Sequence, residues 1–304
     1  MSNFKKTIII QKHSLCCGGI GDFIRACLSF YSLSQRLNYD YYINFDENVY
    51  LKECFVIEEI PNDITNLESE EIILLDGIYS YESIKPILDR ITSNPKVYYL
   101  KSNAIGFESN ENIQNIKDYF FNNILKPSHK IINFINNIYN NYNIINNNYI
   151  SVHVRCGDYN MQKNLDQITS SIDKRINIDD NNIYEYYNKM INKVKEDYKI
   201  NIPVIIHSDS VIFKNKMKEI NSEYTYLDLE IKHIAENIGI DNINSFISTI
   251  SEFYIISKAA KIILLNVYSG FSHIASIIEN KELLVNFNVE YFNYLHTNNI
   301  ININ

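Results

Sequence analysis

The chain has 304 residues, 46% hydrophobic and 21% charged, enough for one large core or, better, two of about 150 residues each. Its formal net charge of −8 argues against the broad basic face of a nucleic-acid binder, so an anionic ligand would need a local basic pocket. No run reaches the roughly 18 uncharged apolar residues of a membrane span, and the apolar part of the opening MSNFKKTIIIQKH is too short for a signal peptide, which predicts a soluble cytoplasmic protein with no integral membrane segment.

In chain order, KTIII reads as a buried strand and LCCGGIGD as a glycine-rich turn. From Asp22 to Leu37 apolar residues recur at helical spacing, and YYINF follows as a second strand. EIILLD and VYYLK are strands separated by a helical or loop segment, and residues 112–125 and 129–141 read as helices. Asn then fills eight of the thirteen positions from 136 to 148, which the coding bias of an AT-rich genome explains without function. The rhythm restarts with the strand YISVHVR, a helix over about 181–197 and the strand IPVIIHSD. Helices near 211–220 and 243–259, the short strand YTYL, the strand KIILLN, a helix from about 271 and the strand ELLVNF complete it. The fold class is therefore α/β, with two alternating halves divided at about residue 145: domain 1–145 and domain 146–304.

Cysteines 16, 17, 27, 54 and 156 are odd in number and lack CxxC spacing, which argues against a disulfide framework or a zinc cluster. Lysine outnumbers arginine 23 to 5, so each arginine is informative, and Arg25 and Arg155 lie in the two most motif-like stretches. In YISVHVRCGDYN, strand alternation puts Val152 and Val154 on one face and His153 and Arg155 on the other, with Gly157-Asp158 turning the chain at the carboxyl end. Ligands of open parallel sheets bind at that end, and a guanidinium there offers a fork of donors for two phosphate oxygens. The bland alternative pairs Arg155 with Asp158 in a surface turn and leaves His153 as a satisfied core imidazole.

Three further stretches bear on the choice. Gly18, Gly19 and Gly21 let backbone approach a ligand before a helix whose N-terminus favours anions, although Asp22 reads equally well as an ordinary N-cap. IIHSDS ends a strand on His207, Ser208 and Asp209. NVYSGFSHIAS places Ser269, Phe271 and Ser272 at a helix start, where hydroxyls and N–H groups suit a phosphate; singly, the serines are ordinary caps and Phe271 is ordinary core.

In this order, GGIGDFIR (18–25), HVRCGD (153–158), HSD (207–209) and SGFS (269–272) resemble the motifs of the fucosyltransferase superfamily over about 250 residues. The resemblance implies a GT-B fold of two Rossmann-like domains facing across a cleft, the first on the acceptor side and the second holding the nucleotide sugar. It implies GDP-fucose as donor substrate, a glycan or other hydroxyl acceptor, inversion at the anomeric carbon, and neither metal nor other cofactor. By motif, Arg155 would contact the donor β-phosphate with His153 beside it, Asp209 would lie near the nucleoside, and Ser269, Phe271 and Ser272 near ribose or phosphate. Gly19, Gly21 and Arg25 belong to the glycine-rich turn. Asp22 is the candidate general base, with Asp158 nearly as suitable. The chain departs from many members at Cys156, where they carry a second basic residue, and some have Asn at the position of Asp22. The alternatives are a heptosyltransferase-like GT-B enzyme, which shares a GxGD turn, and a GDP-sugar-binding relative without turnover.

Overall fold

The computed structural model of the chain describes residues 6–13, 19–46, 48–61, 64, 70–75, 81–102, 110–157, 179–229, 243–265, 269–286 and 300–302. The described residues divide into two compact units, the first running through Ile131 and the second starting at Ile132. This division falls inside a helix rather than at about residue 145. Side-chain bonds account for it: Ser128 Oγ donates to the Glu53 carbonyl (2.8 Å) and Lys130 pairs with Glu53, whereas Tyr139 OH meets Tyr149 OH (3.1 Å) and Tyr142 OH accepts the Asp228 N–H (3.0 Å). The beginning of the helix thus belongs with the earlier residues and the remainder with the later ones.

The first unit contains β1 (Ile8–Lys12), α1 (Ile20–Leu37), β2 (Asp40–Asn44), α2 (Val49–Cys54), β3 (Phe55–Val56), β4 (Glu70–Leu75), α3 (Tyr81–Ser93), β5 (Val97–Ser102), α4 (Asn110–Tyr119), a π-helical turn (Phe120–Ile124) and β6 (Lys126–Pro127). Strands β2-β1-β5-β4 form a parallel sheet in that order, and β3 and β6 make a small antiparallel pair. Ile8, Ile10, Val97 and Tyr99 pack together from the paired strands β1 and β5, as the continuous apolar run of a parallel strand requires. Helix α1 buries Phe23, Ile24, Cys27, Leu28, Phe30 and Tyr31 and stops at Asn38, which takes the left-handed conformation (φ 58°) common at helix ends. It begins two residues before Asp22, so Gly19 is the N-cap and the aspartate is not. The expected single helix over 112–125 is α4 followed by the wider turn, in which Phe120 and Phe121 are both buried, their rings edge-to-face at 5.1 Å.

Helix α5 (His129–Tyr142) joins the units. The second contains β7 (Ile150–Val154), α6 (Asn181–Asp197), β8 (Val204–Ser208), α7 (Val211–Ile220), β9 (Thr225–Tyr226), α8 (Ile243–Ser257), β10 (Lys261–Leu265), α9 (Gly270–Ile278), β11 (Leu283–Asn286) and β12 (Ile300–Asn302). Its sheet is parallel throughout, in the order β12-β11-β10-β7-β8-β9. Ile150, Val152 and Val154 pack with Tyr184, Tyr187 and Ile191 of α6 and Phe213 and Met217 of α7. Val154 pairs with Leu265 on one side and Ser208 on the other, so three strands end level. No helix among the described residues is long and apolar enough to cross a membrane.

Candidate active site at the end of the second sheet

Strand β7 delivers its polar residues to the level edge of the sheet. Arg155 follows its last residue, 14% exposed at the side chain, and forms an ion pair with Asp209, 4% exposed, which follows β8. The same carboxylate accepts the backbone N–H groups of Cys156 (2.7 Å, Oδ1) and Gly157 (3.1 Å, Oδ2). Gly157 has φ 95°, a conformation that only glycine adopts cheaply, and this bend aims two successive N–H groups at one carboxylate. Asp209 thus clamps both the guanidinium and the loop that carries it. Charge-assisted bonds of this kind are the strong class, and burial on both sides makes them costly to remove.

His153 lies on the opposite face of β7 from Val152 and Val154, as alternation requires. Its Nδ1 bonds the hydroxyl of Ser272, in the first turn of α9, and its ring lies 5.8 Å from that of Phe271, which itself packs edge-to-face on Phe253. Burial pushes the imidazole down to about 4, so it is neutral at pH 7. Ser269 is the N-cap of α9, yet its side chain makes no capping bond. The first N–H groups of this nine-residue helix and its positive dipole end therefore stand beside β7, an arrangement suited to an anion.

Beneath this edge runs a buried polar chain that the sequence did not reveal. Glu252 of α8 bonds His207 Nδ1 (3.0 Å), and His207 Nε2 meets Ser151 Oγ (3.1 Å); all three side chains are in the core. Burial alone would raise the Glu252 pKa, but the hydrogen bond to His207 and the nearby Lys214 are among the interactions that outweigh it and hold the group below its ordinary value. An ionised carboxylate only accepts, so His207 Nδ1 is the donor. A lone Glu in the otherwise uncharged α8 was the available signal of a buried partner.

The glycine-rich turn lies in the first unit and is seen from Gly19 onward. Gly21 is buried in the first turn of α1, and Asp22 Oδ1 receives Arg25 Nη2 at 2.7 Å, an i,i+3 pair in which Asp22 is 35% and Arg25 12% exposed. Gly18 and Asp158 lie outside the described residues. Of the expected residues in the second unit, Arg155 and Asp209 meet each other, as do His153, Phe271 and Ser272.

The architecture has solved counterparts. A mutant of Arabidopsis thaliana FUT1 in complex with GDP is similar with a TM-score of 0.57 at 9% identity, over 94% of this chain and 71% of that one. NodZ alpha-1,6-fucosyltransferase soaked with GDP-fucose is similar with a TM-score of 0.56 at 14% identity, over 90% and 93%, and NodZ from Bradyrhizobium gives 0.53 at 15%, over 89% and 92%. The chain has the GT-B fold of the fucosyltransferases. No protein-family model and no curated protein matches it in sequence.

Within this fucosyltransferase fold, Cys156 shares the inward face of Val152 and Val154 and is fully buried. Burial raises its thiol well above the ordinary range, and Sγ lies 3.2 Å from Ser208 Oγ. A second basic side chain there would be a charge in the hydrophobic core. The Asp209 carboxylate faces the Arg155 loop, a partner 54 residues away in the chain. Among the described residues, no group of three or more His, Cys, Asp or Glu is placed to hold a metal ion.

Proposed function

We propose that this chain is an inverting glycosyltransferase that moves fucose from GDP-fucose to a hydroxyl of a glycan, acting in the cytosol without a metal. The observation that carries the reading is the clamped Arg155 at the carboxyl edge of the second sheet, beside the N-terminus of α9. Breaking the bond between sugar and phosphate leaves charge on the diphosphate while the sugar becomes oxocarbenium-like. A guanidinium carries five donors in a planar fork suited to phosphate oxygens, and one terminal nitrogen of Arg155 bonds Asp209, which fixes its orientation. Its interaction strengthens as charge moves onto the leaving group, which lowers the barrier. The first-turn N–H groups of α9 add a second, uncharged contact for the same anion, and neutral His153 orients Ser272 within that turn.

Inversion needs the acceptor hydroxyl to lose a proton as it attacks, and Asp22 is the proposed base. Its pairing with Arg25 keeps the carboxylate oriented, and its 35% exposure leaves it open to an incoming hydroxyl. The test is a donor panel of GDP-fucose, GDP-mannose and ADP-heptose, read by thermal shift and by product formation with a glycan acceptor mixture. GDP-fucose is expected to stabilise the protein most and to yield product with inverted configuration. Preferential use of ADP-heptose would move the chain to the heptosyltransferases, and binding without transfer to any acceptor would make it a non-catalytic relative.

A further inference from the structure

Helix α1 connects two different places in the first unit. Its N-terminus is the glycine-rich turn, and its C-terminus, about 27 Å away for 18 residues, borders an open groove of about 520 Å³. The groove is built from the last turn of α1, the residues leading into β2, Glu58 and one face of α4. In a parallel sheet the start of β2 is the amino edge, opposite the edge at which α/β folds bind their nucleotide. The groove is therefore separate from the glycine-rich turn and takes no part in the site described above.

Its most unusual feature is an aromatic platform. Tyr119 stacks on Tyr31 with ring centroids 6.3 Å apart and planes 5° from parallel. Tyr31 is 5% exposed and is itself fixed by Tyr41 (5.7 Å, edge-to-face) and Phe120 (5.4 Å), whereas Tyr119 is 58% exposed. A large ring held flat against a buried partner while most of its surface stays in water is costly to maintain for stability alone. It is pre-ordered for a ligand, because little side-chain freedom remains to be lost on contact. Burial pushes the Tyr31 hydroxyl up to about 12, with Tyr119 and Glu58 adding to the effect, so it remains a neutral donor.

Beside Ile116, Ile124 and further tyrosines, the remaining lining is polar and unsuited to an anion. Gln35, Asn38 and Asn115 present exposed amides and Glu58 an exposed carboxylate. The lining's one basic side chain, Lys6, is matched by Asp40 at 2.6 Å. An exposed aromatic face flanked by amides and a carboxylate matches a sugar ring, whose C–H face is apolar and whose rim is a ring of hydroxyls. The volume falls within the roughly 300–1,000 Å³ of small-molecule sites and accommodates more than one sugar ring. The uncompensated Glu58 disfavours phosphates and uronic acids.

We propose that this groove is a second carbohydrate-binding site, which holds a neutral oligosaccharide against Tyr119 at the amino edge of the first sheet. Its biological sense rests on the glycan-acceptor reading, since it would retain a distant part of a long acceptor, but its occupancy needs neither donor nor turnover. The test is a binding experiment on the full chain without GDP-fucose, using short chito-, manno- and galacto-oligosaccharides and oligogalacturonates as the anionic comparison, by saturation-transfer NMR and calorimetry. At least one neutral series is expected to bind and the oligogalacturonates are not. Tyr119→Ala should weaken binding by about tenfold, Tyr119→Phe should retain it, and Glu58→Gln should weaken it by a smaller factor. The circular dichroism and the unliganded melting temperature of these variants should match those of the parent, which shows that they fold. No binding of any neutral series at millimolar concentration would overturn the proposal. So would binding unchanged by Tyr119→Ala, or a preference for the anionic series. None of these outcomes bears on the donor panel, so the two readings fail separately.

Discussion

Replacing Asp209 by Asn tests the clamp with almost no change of shape. The parent carboxylate serves four donors: the Arg155 guanidinium and the Gly157 N–H on Oδ2, and the Cys156 N–H and, at 3.4 Å, the Ser208 hydroxyl on Oδ1. An asparagine has one acceptor oxygen. In its better orientation that oxygen faces Arg155 and Gly157, and the amide NH₂ then opposes the Cys156 N–H, donor against donor. One buried N–H is left unsatisfied, at about 1–3 kcal/mol, and the ion pair is lost. Breaking a pair this buried costs about 3–5 kcal/mol, and a neutral amide that still accepts two bonds recovers part of it, so a net loss of about 3 kcal/mol is expected. For a unit of this size that corresponds to a fall in melting temperature of about 6–12 °C. Thermal and urea unfolding of Asp209→Asn, with GDP titrations by calorimetry, give both quantities, and GDP affinity should fall because Arg155 is no longer fixed. A double-mutant cycle with Arg155→Ala should return a coupling of more than about 1 kcal/mol. Melting within about 3 °C of the parent together with unchanged GDP affinity would refute the clamp.

The other expectations concern Arg155, Asp22 and the buried polar groups of the second unit. Arg155→Ala should lower turnover by about two to four orders of magnitude, measured as fucose transfer by protein whose circular dichroism is unchanged. Asp22→Asn should reduce kcat strongly while GDP affinity stays near that of the parent; normal turnover would remove Asp22 as the base. Burial holds His153 at about 4, below its ordinary value of 6.5, so between those values the unfolded chain binds a proton that the folded one does not. Its contribution to stability is present above about pH 6.5 and is lost as pH falls towards 4, with roughly 2 kcal/mol gone by pH 5. Urea midpoints at pH 7 and pH 5 should therefore differ more for the parent than for His153→Gln. Glu252→Ala should destabilise the fold by about 1–3 kcal/mol in thermal unfolding, since it leaves the buried His207 Nδ1–H without its acceptor.

The sequence disclosed what local periodicity controls. The alternation in YISVHVR correctly separated Val152 and Val154 from His153, because a strand has only two faces and an apolar layer must take one of them. The start of α1 was misplaced by two residues because Asp22 imitates a cap, while the structure uses the extended backbone of Gly19. The pairing of Arg155 with Asp209 was not legible, because Asp209 arrives beside it only when β8 pairs with β7 in register. Glu252, His207 and Ser151 are brought together in the same way, by strand pairing and helix packing that no short window contains. The groove on the first unit was hidden for a different reason. With 24 tyrosines in the chain, Tyr31 and Tyr119 carry no compositional signal, and only helix packing reveals that two of them stack.

The position of β7 also bears on biogenesis. It is the first strand of its sheet to leave the ribosome, yet it is flanked by β8 and β10, and β10 begins more than a hundred residues after β7 starts. At roughly 5–20 residues per second, one side of a wholly buried strand stays unmatched for several seconds during synthesis. Nascent chains that stop short of Lys261 would present that raw edge to one another, so slower growth temperatures or chaperone occupancy should govern how much chain is recovered intact.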